Sequence, residues 1–336
     1  MTSKEFAKLI GVSQATVSRA LNDSDVVPLE RREFIKKKAE EYGFILNSQA
    51  RSLKTNRTGT VGILFPRHFA SMHANLGLAY TYDLVQKELS KHGYDVMVVY
   101  EQDHSSGLTT FERIVKTRKV DGFIVLRLEF SQQELDLIHR YKVPCVYILN
   151  AGMLDEYSSS YISDSEYGGY LLGSYLGKFT DSTHYYINVN ATAGDAENRL
   201  SGFKRGLREH GVELDPSCVF ECSLSVRAAY ECIMANKERF MNGKSVVVAY
   251  NDATALGALN AFQRLGLDVP NQIQIAGQGA LPLAAELSPV ITTIQPFRER
   301  IAQMSCEYLK HAIDKTDAEI VRIVVKPELV IGETTL

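Results

Sequence analysis

The chain has 336 residues, of which 45% are hydrophobic and 23% charged, and its formal net charge is −3. This length is enough for two or three domains, and this composition is typical of a globular protein, so a disordered or fibrous chain is excluded. No apolar run is long enough for a membrane span or a signal sequence, so we expect a cytoplasmic protein. Five cysteines at irregular spacings indicate reduced thiols.

Basic residues are concentrated at the amino-terminal end. Residues 1–58 hold eleven Lys and Arg against seven Asp and Glu, a net charge of +4, so the remaining 278 residues carry −7. A basic head on an acidic body is typical of a protein that meets nucleic acid with one module only.

Residues 1–46 predict a small all-α domain. A capping box and an apolar stripe predict a first helix that ends at Gly11, and Ser13 caps a second helix that continues to Leu21. Two short helices joined by a turn that contains glycine make a helix-turn-helix. A third helix is predicted over residues 29–42.

Residues 47–58 are polar and basic, and they form the predicted linker. From residue 59 onward, short apolar runs alternate with amphipathic stretches, a pattern that indicates βαβ units with buried parallel strands. About ten such units are too many for one open sheet, so we predict two doubly wound subdomains that face each other across a cleft. Ligands bind such sheets at the carboxyl ends of the strands, which makes this α/β cleft the predicted ligand site.

Several segments are similar, in sequence and in order, to one bacterial family. They are residues 6–22, 42–44 with 47–53, 120–124, 198–203, 251–258 and 289–294. Together they make the chain resemble the lactose-repressor (LacI/GalR) family of transcription regulators over essentially its whole length. The resemblance implies a DNA-binding domain at 1–46, a hinge helix at 47–58 and an effector-binding and dimerisation body at 59–336.

The resemblance also implies that the body has a fold like that of the type I periplasmic binding proteins. Its amino-terminal subdomain is expected at about 59–160 and 292–320. Its carboxyl-terminal subdomain is expected at about 161–291 and 321–336.

In such a head the second helix enters the major groove, and its first side chains reach the base edges. Gln14 and Ala15 are therefore the expected base readers, with Arg19 deeper along the same helix. Gln pairs with adenine, Arg pairs with guanine, and the Ala methyl group contacts the thymine methyl group. Phosphate contacts are expected from Thr16, Ser18 and Asn22. The alternative interpretation is a solvated helix pair on an enzyme.

Hinge helices of the family pair in the dimer and insert a leucine from each subunit into the minor groove. By position this leucine is Leu53, with Ala50 at the close approach and Arg51 and Lys54 near phosphates. Such an apolar wedge kinks the duplex at its centre. The alternative is a plain tether, in which Leu53 packs against the body.

Arg199 and Asn251 match family positions that hydrogen-bond ligand hydroxyls, and Asp252 lies beside them. Three polar positions of the sugar-binding pattern are replaced by apolar residues or glycine: Leu126, Leu149 and Gly279. Asn150 and Gln278 are placed to take over the lost hydrogen bonds through a one-residue shift. Since an arginine is kept while carboxylates are lost, a phosphorylated or acidic sugar is one hypothesis for the effector, with Arg67, His68 and Arg127 as candidates for the rim.

Enzyme motifs are missing: the chain has no P-loop, no nucleophile elbow and no complete dinucleotide fingerprint, and its eight histidines are scattered. We therefore expect no catalysis, no cofactor and no metal. The leading hypothesis is a homodimeric repressor of carbohydrate-utilisation genes, which binds a pseudo-palindromic DNA operator and is controlled by a small sugar-like effector. There are two alternatives. One is a family regulator whose body responds to a protein partner, and the other is a solute-binding protein. The absence of a carboxyl-terminal heptad repeat favours a dimer over a tetramer.

Overall fold

The computed structural model describes residues 1–21, 24–44, 57–67, 72, 75–101, 107–126, 130–148, 158–189, 194–315 and 318–336. Within them, a small all-α head precedes an α/β body built on two parallel sheets. This confirms the predicted fold class. No helix in these stretches is both long enough and apolar enough to cross a membrane.

The head consists of three helices: α1 (Ser3–Leu9), α2 (Gln14–Leu21) and α3 (Leu29–Glu41). The predicted capping box is present at the start of α1. Phe6, Val17 and Ile35 are fully buried, one from each helix, and the Phe6 ring stacks on Phe44 with 4.2 Å between the ring centroids. Gly11 has a φ of +70°, a left-handed conformation that favours glycine and that lets the chain turn between α1 and α2.

The body continues the numbering of helices and strands in chain order. They are β1 (Thr60–Leu64), α4 (Leu76–Lys91), β2 (Asp95–Val99), α5 (Thr110–Lys116), β3 (Gly122–Val125), α6 (Gln132–Tyr141), β4 (Cys145–Tyr147), β5 (Ser159–Ser163), α7 (Ser165–Leu176), β6 (Thr183–Val189), α8 (Asp195–Arg208), β7 (Val219–Cys222), α9 (Val226–Ala235), β8 (Ser245–Ala249), α10 (Asp252–Leu265), β9 (Ile273–Ala276), α11 (Pro282–Glu286), β10 (Thr293–Gln295), α12 (Arg298–Asp314), β11 (Arg322–Val325) and β12 (Glu328–Val330).

The first lobe is a six-stranded parallel sheet in the order β11-β5-β4-β3-β1-β2. Apolar side chains of α4 and α12 cover one face of this sheet, and those of α5 and α6 cover the other. A sheet that is buried on both faces needs continuous apolar strands, which is the pattern that the sequence shows.

The second lobe is a four-stranded parallel sheet in the order β7-β6-β8-β9, and β10 and β12 form an antiparallel pair beside it. Its helices α7 and α8 cross at very close range through glycines. A Cβ at Gly202 would lie 1.9 Å from the Glu166 carbonyl oxygen, and one at Gly169 would lie 2.1 Å from the Arg199 carbonyl oxygen. The crossing therefore requires glycine at these positions, and it fixes the backbone position of Arg199.

The chain passes between the lobes three times: after β5, between β10 and α12, and between β11 and β12. The last passage differs from the predicted boundary at residue 320. Because β11 pairs with β5, residues 322–325 belong to the first lobe, and the passage lies at Lys326 and Pro327. Residues 292–295 lie beside β9 of the second lobe and not in the first, since Gly277 N donates to Thr292 O at 2.9 Å.

We predict that Gly202→Ala lowers the free energy of unfolding by about 3 kcal/mol, because a methyl group has no space between α7 and α8. Urea unfolding of the full chain, followed by circular dichroism, measures this loss. Ser201→Ala is the matched control, since Ser201 is exposed on the same helix. Equal stability of the two variants would contradict the assigned packing.

Candidate functional site

Helix α2 of the head turns one row of side chains to solvent. Gln14, Ala15 and Arg19 are exposed, whereas Val17 and Ala20 are buried in the core of the head. This division follows from the 3.6-residue period of the helix. An α-helix with its side chains is about 10–12 Å across and the major groove of B-DNA is about 12 Å wide, so this row has the dimensions of a groove-reading surface.

The start of α2 is fixed by its predicted cap. The Ser13 Oγ atom accepts a hydrogen bond from Thr16 N at 3.1 Å and lies 2.8 Å from Thr16 Oγ1. Thr16 and Ser18 are half-buried at the edge of the exposed row. The other residues predicted at DNA lie outside the described part of the chain: Asn22, Ala50, Arg51, Leu53 and Lys54.

A carboxylate of the first lobe binds the end of the linker. Asp121 accepts hydrogen bonds from Thr58 N at 2.7 Å and Thr58 Oγ1 at 3.0 Å through one oxygen, and from Gly59 N at 2.8 Å through the other. Charge-assisted hydrogen bonds of this kind are stronger than neutral ones. Asp121, which directly precedes β3, therefore ties the end of the linker to the sheet.

Arg199 on α8 is held from three directions. Its Nε atom lies 2.9 Å from an oxygen of Asp195, its Nη1 atom donates to Tyr250 O at 2.7 Å, and its guanidinium lies 4.6 Å from the centroid of the Tyr250 ring. Burial acts to lower the pKa of Arg199, but the combined electrostatic attraction of its neighbours, of which Asp195 is the strongest, holds the pKa above its ordinary value. Arg199 is thus a permanent cation with a fixed orientation.

Asn251 caps α10 and Asp252 is its first residue, and both make hydrogen bonds within the second lobe. Asn251 Oδ1 accepts from Thr254 N and from Thr254 Oγ1, both at 2.9 Å, and so caps the helix. Asp252 is buried; one oxygen accepts from Leu281 N at 2.7 Å and the other from the Thr293 hydroxyl. Burial raises the pKa of the Asp252 carboxyl. Both of its oxygens are therefore engaged inside the lobe, whereas the sequence suggested a ligand contact.

A cavity lies between the lobes where the chain passes from one to the other. The second lobe contributes Arg199, Gln278 and Gly279, and the first lobe contributes Ile148 and Arg298. Gln278 is buried, and its Nε2 atom lies 3.4 Å from the hydroxyl oxygen of Tyr186. The structure thus brings two of the predicted effector residues, Arg199 and Gln278, into one cavity.

The remaining predicted residues are placed differently. Leu126 is buried in the apolar core of the first lobe and does not line the cavity. Arg67 forms a salt bridge of 2.6 Å with the buried Glu134, so its charge is compensated away from the cavity. Four candidates lie outside the described residues: Leu149, Asn150, His68 and Arg127.

Arg298 lines the cavity and is absent from the sequence-based prediction. It is the first residue of α12, and its Nη1 atom donates across the lobes to the carbonyl oxygen of Gly279. The signal in the sequence is Pro296 followed closely by an arginine at the start of a long amphipathic helix. In the described stretches, no group of three His, Cys, Asp or Glu side chains is arranged to hold a metal ion.

Two family models match this chain. Residues 2–47 match the model for bacterial regulatory proteins of the lacI family, and residues 177–335 match that for a periplasmic binding protein-like domain. The chain is 28% identical to the HTH-type transcriptional repressor PurR of Vibrio vulnificus (strain CMCP6) over 99% of this chain and 98% of that protein.

Solved structures show the same fold over the whole chain. The lac repressor dimer bound to operator and the anti-inducer ONPF superposes with a TM-score of 0.78 at 20% identity, over 100% of this chain and 99% of that one. The complex of the transcriptional regulator CelR with cellobiose superposes with a TM-score of 0.70 at 23% identity, over 99% of both chains. Residues 2–47 thus match the head of the lacI family of bacterial regulatory proteins, and the chain as a whole has the two-lobed fold of the regulators to which it is similar.

Proposed function

We propose that the chain is a repressor of carbohydrate-utilisation genes that binds a pseudo-palindromic operator as a homodimer. The observation that carries the proposal is the row of Gln14, Ala15 and Arg19 on the exposed face of α2. Gln14 and Arg19 have the hydrogen-bonding groups that distinguish base pairs in the major groove, and Ala15 presents a methyl group for contact with thymine. The PurR relatives are named repressors, and the lac repressor neighbour is a dimer on its operator, which supports both parts of the proposal.

The linker is the proposed second DNA contact. Leu53 of each subunit enters the minor groove at the centre of the operator, with Ala50 at the close approach and Arg51 and Lys54 at phosphates. The Asp121 carboxylate supports this role because it binds the chain at Thr58 and Gly59, so the first lobe fixes the carboxyl-terminal end of the linker.

A small sugar-like effector is the proposed control. Arg199 and Gln278 converge on the cavity between the lobes, and Asn251 begins the helix beside it. A ligand that contacts both lobes binds one relative orientation of them better than others, and it shifts the population by that difference in affinity. Since the first lobe holds the linker, the effector changes the affinity for the operator.

Arg19→Ala is expected to reduce discrimination between operator and random DNA by about 1–3 kcal/mol, since a bidentate contact with guanine is lost. Fluorescence anisotropy with both DNAs at one fixed salt concentration measures it. Arg31→Ala removes the same charge from the exposed side of α3 and serves as control. Undiminished discrimination by Arg19→Ala would exclude a base contact.

Leu53→Ala is expected to remove the bend of the operator and to lower operator affinity, because the apolar wedge is lost while the phosphate contacts remain. Energy transfer between dyes at the two ends of an operator fragment reports the bend. Ser52→Ala is the matched control in the linker. A bend and an affinity that stay at the level of the unmodified protein would leave the linker as a plain tether.

Arg199→Lys is expected to weaken effector binding while operator binding without effector persists, because lysine keeps the charge but lacks the planar fork of donors. A thermal-shift screen of neutral sugars, sugar acids and sugar phosphates identifies a ligand, and calorimetry with both proteins gives the affinities. Arg205→Lys, at an exposed position of the same helix, is the control. Equal affinities for Arg199→Lys and Arg205→Lys would remove Arg199 from the effector site.

A further inference from the structure

Arg298 is a half-buried cation without an anionic partner among the described residues. Its Nη1 atom donates to the Gly279 carbonyl oxygen, its Nε atom is fully buried without a hydrogen-bond partner, and no described group accepts from Nη2. A guanidinium has five N–H donors and favours a carboxylate or phosphate that accepts two of them at once. Leaving a partly buried charge without a paired anion is costly, so the environment of Arg298 is incomplete.

The carboxylates around this cavity are already engaged by other groups. Asp195 pairs with Arg199 at 2.9 Å, Asp164 accepts from Tyr167 N at 2.9 Å, Asp252 accepts from Leu281 N and the Thr293 hydroxyl, and Glu299 accepts from the Tyr80 hydroxyl. None of them forms a salt bridge with Arg298 in the part of the chain that the structure describes. Burial, and then the like charge of Arg199, lower the pKa of Arg298, and the charges of Asp252, Asp195 and Glu299 offset this only in part.

We propose that Arg298 binds an anionic group of the effector, a carboxylate or a phosphate, in the cavity between the lobes. This rests on the proposed control by a small molecule and specifies its chemical class. Arg298 lines this cavity beside Gly279: a Cβ on Gly279 would lie 3.5 Å from Arg298 Nη2, 3.6 Å from Nη1 and 3.3 Å from Asp252 Oδ2, an oxygen that accepts from Leu281 N. Arg199 lines the same cavity, so an anionic sugar meets one guanidinium from each lobe.

The start of α12 adds to the positive potential at this point. Phe297 precedes the helix in a left-handed conformation and provides no side-chain cap, so no side-chain acceptor at that position meets the first backbone N–H groups. The amino terminus of a 17-residue helix carries a partial positive charge that favours anions. Arg298 and this helix terminus thus act on the same ligand group.

Helix α12 also connects the cavity with the end of the linker. At 1.5 Å per residue its 17 residues span about 25 Å. Its last turns pack below β3: a Cβ at Gly122 would lie 2.9 Å from Leu309 Cδ1 and 3.3 Å from Ile313 Cδ1. Gly122 directly follows Asp121, the residue that holds the linker. An anion that binds Arg298 therefore contacts one end of helix α12, and the other end of this helix lies at the linker attachment.

The test uses the full-length protein and three chemically matched ligands: glucose, glucuronate and glucose 6-phosphate, with inorganic phosphate as the simplest probe. Calorimetry gives the affinity of each ligand, and anisotropy with operator DNA gives its effect on DNA binding. The variants are Arg298→Gln, which removes the charge, and Arg298→Lys, which keeps the charge without the planar fork. Arg300→Gln is the control, because Arg300 is exposed two residues further on α12.

We expect at least one anionic probe to bind the unmodified protein more tightly than glucose. Arg298→Gln is expected to lose anion affinity on the order of 10- to 100-fold, Arg298→Lys less, and Arg300→Gln not at all. A phosphate monoester has a second pKa near 6, so its binding strengthens from pH 5.5 to 7.5, whereas that of a carboxylate does not, which distinguishes the two sources of anion.

Three outcomes would overturn the inference: no binding by any anionic probe, anion binding that Arg298→Gln leaves unchanged, or tight binding of glucose alone. In the last case, a change of operator affinity on adding glucose would keep the proposed function and reject only the anionic class. Circular dichroism and the unfolding temperature of Arg298→Gln, compared with those of Arg300→Gln and the unmodified protein, show that the variant is folded. Failure of the unmodified protein to bind any operator DNA would instead reject the proposed function.

Discussion

The buried carboxylate of Asp195 is the group on which the cavity depends. Its partners come from three different elements: the Ser165 hydroxyl at the start of α7 and the Tyr250 hydroxyl after β8 donate to it, and the guanidinium of Arg199 on α8 forms a salt bridge with it. They can meet only because glycines let α7 and α8 cross with their backbones nearly in contact. Close packing and a satisfied buried charge therefore stabilise the same place, and they give Arg199 one orientation.

The contacts between the two lobes differ from the contacts within each lobe. Inside a lobe, apolar faces of helices cover a parallel sheet. At the cavity, polar side chains and backbone groups meet, and the Arg298 hydrogen bond to the Gly279 carbonyl crosses from one lobe to the other. A polar contact of this kind is replaced at little cost by a contact with a ligand, whereas a core is not. The lobes are thus suited to respond to a ligand while each keeps its own structure.

Local signals in the sequence were sufficient to predict the helices of the head and the alternation of strands and helices in the body. The capping box at Thr2, the cap at Ser13 and the exposed positions of Gln14 and Arg19 depend on neighbours within four residues, and the structure shows each of them. The assignment of residues 322–325 to the first lobe could not be predicted in this way. It depends on pairing with β5, more than 150 residues earlier in the chain.

The sequence by itself determined the class of the protein: a basic helix-turn-helix head, a polar linker and a body of parallel βαβ units, because these depend on helix and strand periodicity and on capping between near neighbours. The tertiary structure alone decided what the polar residues of the body do. Asp252 is engaged inside its lobe and Arg298 reaches the cavity, although both are charged residues at the start of a helix. Charge and burial differ between them because distant segments surround each one, and such surroundings have no signature along the chain.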